Sequence, residues 1–162
     1  MDDNGAIVIR EARPDDVGFI KSCIHGLAVY EKAEEKDLST EELLHKNIFE
    51  NKYAHVLIGE IDGIRAGFAL WFNNFSTWLA KPGIYLEDLY VKPEYRGRGL
   101  GRRLLKRLAE IAVENDWGRL EWWCLKWNKP SLDFYESLGA SQMDEWVPLR
   151  IDGEQLQKMG KR

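Results

Sequence analysis

The chain is poor in the residues that mark metal, redox and membrane proteins. It has two cysteines, three histidines and five prolines in 162 residues. Cys23 and Cys124 lie far apart and form no CxxC or other ligand cluster, which removes a redox motif and a sulfur metal site. His25, His45 and His55 show no spacing that would collect a metal ion, so no metal is expected. No apolar run approaches membrane length, and the leading MDDNGAIVIREA is acidic without a signal-peptide core. No membrane association and a reducing, cytoplasmic location are therefore expected. The basic excess of a nucleic-acid binder is also missing. Lys and Arg number 23 against 27 Asp and Glu, a net charge of −4, which argues against nucleic acid and is compatible with small cationic partners. Internal repeats, low-complexity tracts and Pro/Gly/Ser linkers are absent, so one domain over residues 1–162, large enough to bury a core, is expected.

What is present is a run of strand and helix signals. Ala6–Glu11 is a β-branched run ended by ARPDD, a strand followed by a helix start. Val17, Ile20, Ile24, Leu27 and Ala28 recur at helical spacing and predict an amphipathic helix from about Pro14 to Lys32. Ser39 or Thr40 can cap a second helix through about Phe49. The stretch HVLIGEIDGIRAGFALWFN predicts a hairpin turning on Asp62-Gly63, and Gly83–Val91 a further strand. Leu100, Leu104, Leu108, Ile111 and Ala112 form one helical face. Arg119–Leu125 reads as a buried strand. NKPSLDFYESLGA reads as a short helix with an Asn cap and a closing Gly139. EWVPLRI reads as a last strand, with a weak helix at GEQLQKM. The order β-α-α-β-β-β-α-β-α-β defines an α/β fold with a mixed central sheet, antiparallel in its N-terminal half and parallel in its C-terminal pairing, flanked by helices.

The segment EYRGRGLGRRLL, Glu94 to Leu105, is the most distinctive stretch. It occurs once, between a strand and a convincing helix, unlike repeated Arg-Gly segments that wrap nucleic acid. Gly97, Gly99 and Gly101 give G-x-G-x-G rather than the G-x-G-x-x-G of a dinucleotide site, and no G-K-[ST] follows for a P-loop. Two readings remain. One is a plain strand–helix connection eased by glycines. The other is a Gly-rich turn that offers backbone N–H groups at a helix N-terminus to a phosphate.

YRGRGLG resembles the Q/R-x-x-G-x-G/A acetyl-CoA loop of the GCN5-related N-acetyltransferases (GNAT superfamily), with Arg96, Gly99 and Gly101 at the defining positions. YLEDLYVKPEYRG and WNKPSLDFYESLGA match that superfamily's segments in order and spacing. YEKAEE, STW, YLEDLYV, WNKPSLDFY and EWVPLRIDGEQLQKM resemble more narrowly the diamine (spermidine/spermine) and thialysine N-acetyltransferases, over nearly the whole chain. The resemblance implies direct transfer of acetyl from acetyl-CoA to a primary amine of a small cationic acceptor, within a homodimer. It implies cofactor contacts at Leu89, Tyr90 and Val91 on the strand, at Arg96, Gly97, Arg98, Gly99, Leu100, Gly101 and Arg102 in the loop, and at Asn128 and Ser131. Asn128 read by itself is an N-cap.

Tyr135 is implied as the general acid that protonates the departing thiolate. Read without the resemblance it is a core tyrosine on an amphipathic helix. An alkyl ammonium has a pKa near 10 and must lose a proton before it can attack. Glu87 is the candidate base or water-positioner, with Asp88 beside it. In an unbroken strand the two face opposite sides, so only a bulge brings both to the substrate. Tyr30 and Glu31, with Glu34 and Glu35 following, and Glu121, Trp122 and Trp123 are implied as acceptor lining, where carboxylates and aromatic walls suit a flexible cation. Read without the resemblance, EKAEEK is a solvated charged loop. The alternatives are a different amine acceptor (amino acid, aminoglycoside-like drug or peptide), an acyl-carrying Cys124, or a non-catalytic acetyl-CoA-binding module.

Overall fold

A computed structural model describes residues 5–161, which divide into two compact units between Trp123 and Cys124. In the first, strands β1 (Ile7–Glu11), β2 (His55–Ile61), β3 (Ile64–Ser76), β4 (Lys81–Val91) and β5 (Leu120–Trp122) lie side by side in chain order. The first four are antiparallel and β5 runs parallel to β4. The β2–β3 hairpin turns on Asp62 and Gly63, whose φ values of 51° and 79° are the two left-handed positions a tight primed turn requires.

Helices cover both faces. On one, α1 (Val17–Tyr30), the short α2 (Glu41–Leu44) and the turn that follows it bring Ile20, Cys23 and Ile48 against Val56, Ile58 and Phe68, with Leu70 and Tyr90 at the margin. On the other, α3 (Leu100–Glu114) buries Leu100, Leu104, Leu105, Leu108 and Ala112 and touches all five strands. Its first turn is fixed by paired glycines. Gly59 and Gly67 stand opposite each other on β2 and β3. A Cβ on Gly59 would meet Leu100 Cδ1 at 2.6 Å, and one on Gly67 would meet the Tyr90 carbonyl at 2.6 Å. The pair makes the pit in which Leu100 seats, so the loop before α3 has a fixed place above the sheet.

Asp16 locks the start of α1. It is buried, accepts two bonds from Arg10 (2.8 and 2.9 Å), one from Arg65 (3.2 Å) and one from the Arg13 amide (2.7 Å). The Arg10 guanidinium is the main reason its carboxyl is held down at about 2. This cluster joins β1, β3 and the approach to α1.

The α/β class, the mixed sheet and its handed-over pairing agree with the sequence, but several boundaries do not. The first helix begins at Val17, because Pro14–Asp16 form a separate 3-10 turn. Thr40, not Ser39, caps α2, its Oγ1 accepting the Leu43 amide at 3.1 Å. The expected helix to Phe49 continues as a π-turn, His45–Glu50, wide enough for adjacent Ile48 and Phe49 both to pack on the core. The strand expected over residues 119–125 is only Leu120–Trp122.

In the second unit, α4 (Lys129–Ser137) and α5 (Gly153–Gly160) form as helices. Gly139 closes α4 at φ 95°. Asn128 stands at the cap position and is buried, but its side chain makes no capping bond. EWVPLRI is not a strand. Trp146, Val147, Leu149 and Ile151 are exposed, and among the described residues no strand lies alongside them. Pro148 also lacks the N–H a ladder needs. The observed order therefore ends in two helices.

Candidate active site

The site begins with one extra residue. Leu70 of β3 pairs with Asp88, but the next residue, Trp71, pairs with Leu86, so Glu87 is a bulge. The parallel ladder to β5 stops at the same place, with Ile84–Leu120, Tyr85–Glu121 and Leu86–Trp122 as its three rungs. Beyond it, β4 continues along β3 alone.

The hydrogen-bond alternation of β4 then decides which groups face away from β3. The Lys92 amide donates to Ala66 at 2.8 Å. Backbone groups alternate sides along a strand, so the amides and carbonyls of Val91 and Leu89 point to the side that β5 has left. The Val91 carbonyl accepts the Arg96 Nε at 2.9 Å.

The loop after β4 leads into the N-terminus of α3. Gly97 and Gly99 have φ of 78° and 84°, a conformation that other residues adopt only with strain. Apart from their chain neighbours, no atom among the described residues lies within 4 Å of where their Cβ atoms would stand, and at Gly101, its own helix backbone aside, only Val91 Cγ2 comes as near as 4.0 Å. The first helical bond runs from Arg103 to Gly99, leaving the amides of Leu100, Gly101 and Arg102 without an acceptor in a preceding turn. Amides, dipole and the exposed Arg96, Arg102 and Arg103 together suit an anion.

The bulge also sorts side chains. Cross-strand partners share a face. Phe68 opposes Tyr90, Leu70 opposes Asp88, Phe72 opposes Tyr85, and Tyr85 opposes Glu121, so all lie on the α1 face. Glu87 follows Tyr85 by two and joins them. The either-or of an unbroken strand is thus resolved, because both carboxylates reach one face. Glu31, at the end of α1, comes close enough to act on Asp88. Asp88 is half-buried, and its carboxyl is pushed up to about 7, by burial first and then by Glu87 and Glu31. Glu87 itself is exposed.

Aromatic rings line the same face. Phe72 and Tyr85 are 5.1 Å apart, and Trp123 meets Tyr85 edge-on at 6.0 Å. Glu121 accepts from Asn74 at 3.2 Å. Tyr30, the last residue of α1, and Tyr90 lie beneath the Arg96 guanidinium at 5.9 and 5.5 Å. The close approach of α1 depends on Gly26, where a Cβ would run into the Tyr90 ring. Trp122 is the exception. It pairs with buried Leu86, which opposes Trp71, so it belongs to the α3 face rather than to the acidic one.

Asn128, Ser131 and Tyr135 are in the second unit. Ser131 and Tyr135 are half-buried on α4, and the Tyr135 ring lies 5.5 Å from Phe134. Cys124 is half-buried, with its Sγ 3.7 Å from the Leu125 carbonyl. Among the described residues no group of three or more His, Cys, Asp or Glu side chains could hold a metal, and no helix is long and apolar enough to cross a membrane.

The five-stranded mixed sheet thus parts at a bulge above an amide-rich helix start. The chain belongs to the acetyltransferase (GNAT) family, whose sequence model matches residues 20–140, a stretch that takes in parts of both units. It is similar to the thialysine N-epsilon-acetyltransferase of Sus scrofa, 37% identical over 166 residues covering 95% of this chain and 97% of that one. It is 31% identical to the L-ornithine N5-acetyltransferase of Arabidopsis thaliana, over 94% and 87% of the two chains. Among solved structures, an integron cassette protein of V. cholerae matches with a TM-score of 0.80 at 27% identity, covering 96% of this chain and 98% of that one. The protein is an N-acetyltransferase.

Proposed function

We propose that the enzyme moves acetyl from acetyl-CoA to a primary amine of a small cationic acceptor, a diamine or a thialysine-like diamino compound. The observation that carries this reading is the Glu87 bulge. It opens an edge of β4 beside the α3 N-terminus, and it gathers Glu31, Glu87, Asp88 and Glu121 with Tyr30, Tyr85 and Trp123 on one face. Carboxylates between aromatic rings suit a flexible polyvalent cation by charge and cation–π attraction.

The chain's residues divide the work as follows. The amides of Leu100, Gly101 and Arg102 suit the donor's pyrophosphate, and the outward groups of Leu89 and Val91 suit its amide-bearing arm. The Leu89 amide is the candidate donor to the thioester oxygen as charge builds there. The acceptor arrives as an ammonium. A carboxyl near neutrality matches the task of taking its proton, which draws Asp88 into a role first read for Glu87, with Glu87 holding the ammonium or a bridging water. The amine nitrogen then bonds to the acetyl carbon, the carbon–sulfur bond breaks, and the nitrogen's second proton leaves to solvent. Tyr135 gives its phenol proton to the departing thiolate, a role that rests on family resemblance and phenol chemistry. The assembly proposed is a homodimer, which light scattering measures.

The test is release of free thiol from acetyl-CoA with spermidine, putrescine, thialysine, lysine, an aminoglycoside and a peptide as acceptors. Turnover confined to the aminoglycoside or the peptide overturns the acceptor class, and CoA binding without amine-dependent thiol release overturns catalysis. With an accepted amine, Tyr135→Phe is expected to lower kcat about 10²-fold or more while sparing acetyl-CoA affinity; an unchanged kcat removes Tyr135 from the chemistry.

A further inference from the structure

Arg96 is the residue on which the two halves of the site meet. Its Nε donates to the Val91 carbonyl, one of the outward-facing groups at the free side of β4. Its guanidinium lies over both Tyr30 and Tyr90, rings that neighbour Glu31 in sequence and Asp88 along the strand face. A cation on an aromatic pair beside carboxylates is the environment a protonated amine would seek. Arg96 thus already makes, within the chain, one contact of each ligand.

We propose that Arg96 is a place-holder that couples the two substrates. In the structure it covers the Tyr30–Tyr90 seat assigned to the acceptor's ammonium and closes the Val91 carbonyl assigned to the donor's arm. Donor binding draws it off both. The inference rests on the acetyl-CoA and cationic-amine reading given above. Three features make the displacement feasible. Arg96 is exposed, and among the described residues no carboxylate pairs with it, so it is held by one carbonyl and two ring faces. It directly precedes Gly97, whose left-handed φ places a pivot beside it. A guanidinium released at that point stands next to the α3 N-terminus, where a phosphate offers the bidentate partner that arginine prefers. The amine site is therefore completed after the donor binds, and order of addition becomes a property of one side chain.

The coupling can be read by calorimetry without turnover, using CoA itself as the donor-site probe. The amine probe is thialysine or spermidine, whichever the wild-type enzyme acetylates. Wild-type enzyme is expected to bind the amine about tenfold more tightly with saturating CoA than without it, within the range usual for coupled sites. In Arg96→Ala the free protein is expected to bind the amine as tightly as the CoA-loaded wild type does, so the ratio falls to about one. Should alanine disturb the loop and abolish CoA binding, Arg96→Met keeps the apolar stem without the cation and carries the same expectation. An unchanged ratio in the variants overturns the proposal, as does a wild-type ratio of one. Failure of the underlying function looks different, since neither thialysine nor spermidine is then acetylated.

Discussion

Asp88 shows how a residue's chemistry depends on contacts that are remote in sequence. The sequence presents Glu87 and Asp88 as adjacent carboxylates, and Glu87 reads as the candidate base with Asp88 beside it. What decides is the pairing with Leu70 and Trp71, which places the bulge, and the approach of Glu31 from α1. Both are tertiary facts. The resulting pKa of about 7, against an ordinary value of 3.8, has a definite sign. Below pH 4 the carboxyl is protonated folded or unfolded and contributes nothing to stability. As pH rises from about 4 to about 7 the unfolded chain ionises while the folded one keeps its proton, so stability falls, and the whole cost persists above pH 7. Asp88→Asn is therefore expected to be more stable than wild type at pH 8, by roughly 2–4 kcal/mol, and equal to it near pH 3.5, as urea unfolding at the two pH values would measure. Activity should move the other way. Wild-type kcat/KM rises with pH through about 7 as Asp88 becomes able to accept a proton, whereas the Asn variant loses that inflection and about 10²-fold in rate. A variant with the wild-type pH profile would take Asp88 out of proton transfer.

At the level of elements, α3 and its loop were the most legible part of the chain, because the leucine period and the glycine spacing are both local. The pit beneath them was not, since Gly59 and Gly67 become meaningful only once β2 and β3 are in register. β5 was overestimated for a similar reason. Arg119–Leu125 has the composition of a strand, yet its ladder ends where β4 bulges. EWVPLRI has strand alternation and nothing alongside it among the described residues. The glycines allow structural and ligand roles to be separated. Gly67→Ala puts a methyl against the Tyr90 carbonyl at 2.6 Å and Leu100 at 3.2 Å, so it should destabilise by about 1–3 kcal/mol, as overpacking does. Gly101→Ala meets only Val91 Cγ2 at 4.0 Å and replaces glycine in a helix, so the fold should be unharmed or more stable by up to about 1 kcal/mol. The loop pattern also accepts alanine here, so the KM for acetyl-CoA should stay within about twofold. A carboxylate at the same place, in Gly101→Glu, puts negative charge among the amides proposed for the pyrophosphate, and the KM for acetyl-CoA should rise at least about tenfold. Thermal unfolding beside acetyl-CoA titration separates these variants, and a Gly101→Glu enzyme with unaltered acetyl-CoA affinity would place the pyrophosphate elsewhere.

Across the molecule, the net charge of −4 was read as compatible with cationic partners, but a sum says nothing of arrangement. The fold sorts the charge. Arg96, Arg102 and Arg103 are exposed around the start of α3, while Glu31, Glu87, Asp88 and Glu121 share the face at the end of α1. One pole suits a polyphosphate and the other a polyamine, at two sides of the same strand. Attraction between exposed carboxylates and a mobile cation works through water, where the Debye length shrinks from about 10 Å at 0.1 M salt to about 3 Å at 1 M. A dication interacts with several of these carboxylates at once, whereas a monoamine of equal length interacts with them through one charge. At saturating acetyl-CoA, the KM for a diamine acceptor should therefore rise several-fold between roughly 0.05 and 0.5 M sodium chloride, with little change in kcat. The KM for the monoamine should rise less. Steady-state rates for the two acceptors across a salt series measure the difference. Equal salt dependence would mean that the acidic face is not what holds the second charge, and the acceptor would then be recognised by its shape against Tyr30, Tyr85 and Trp123.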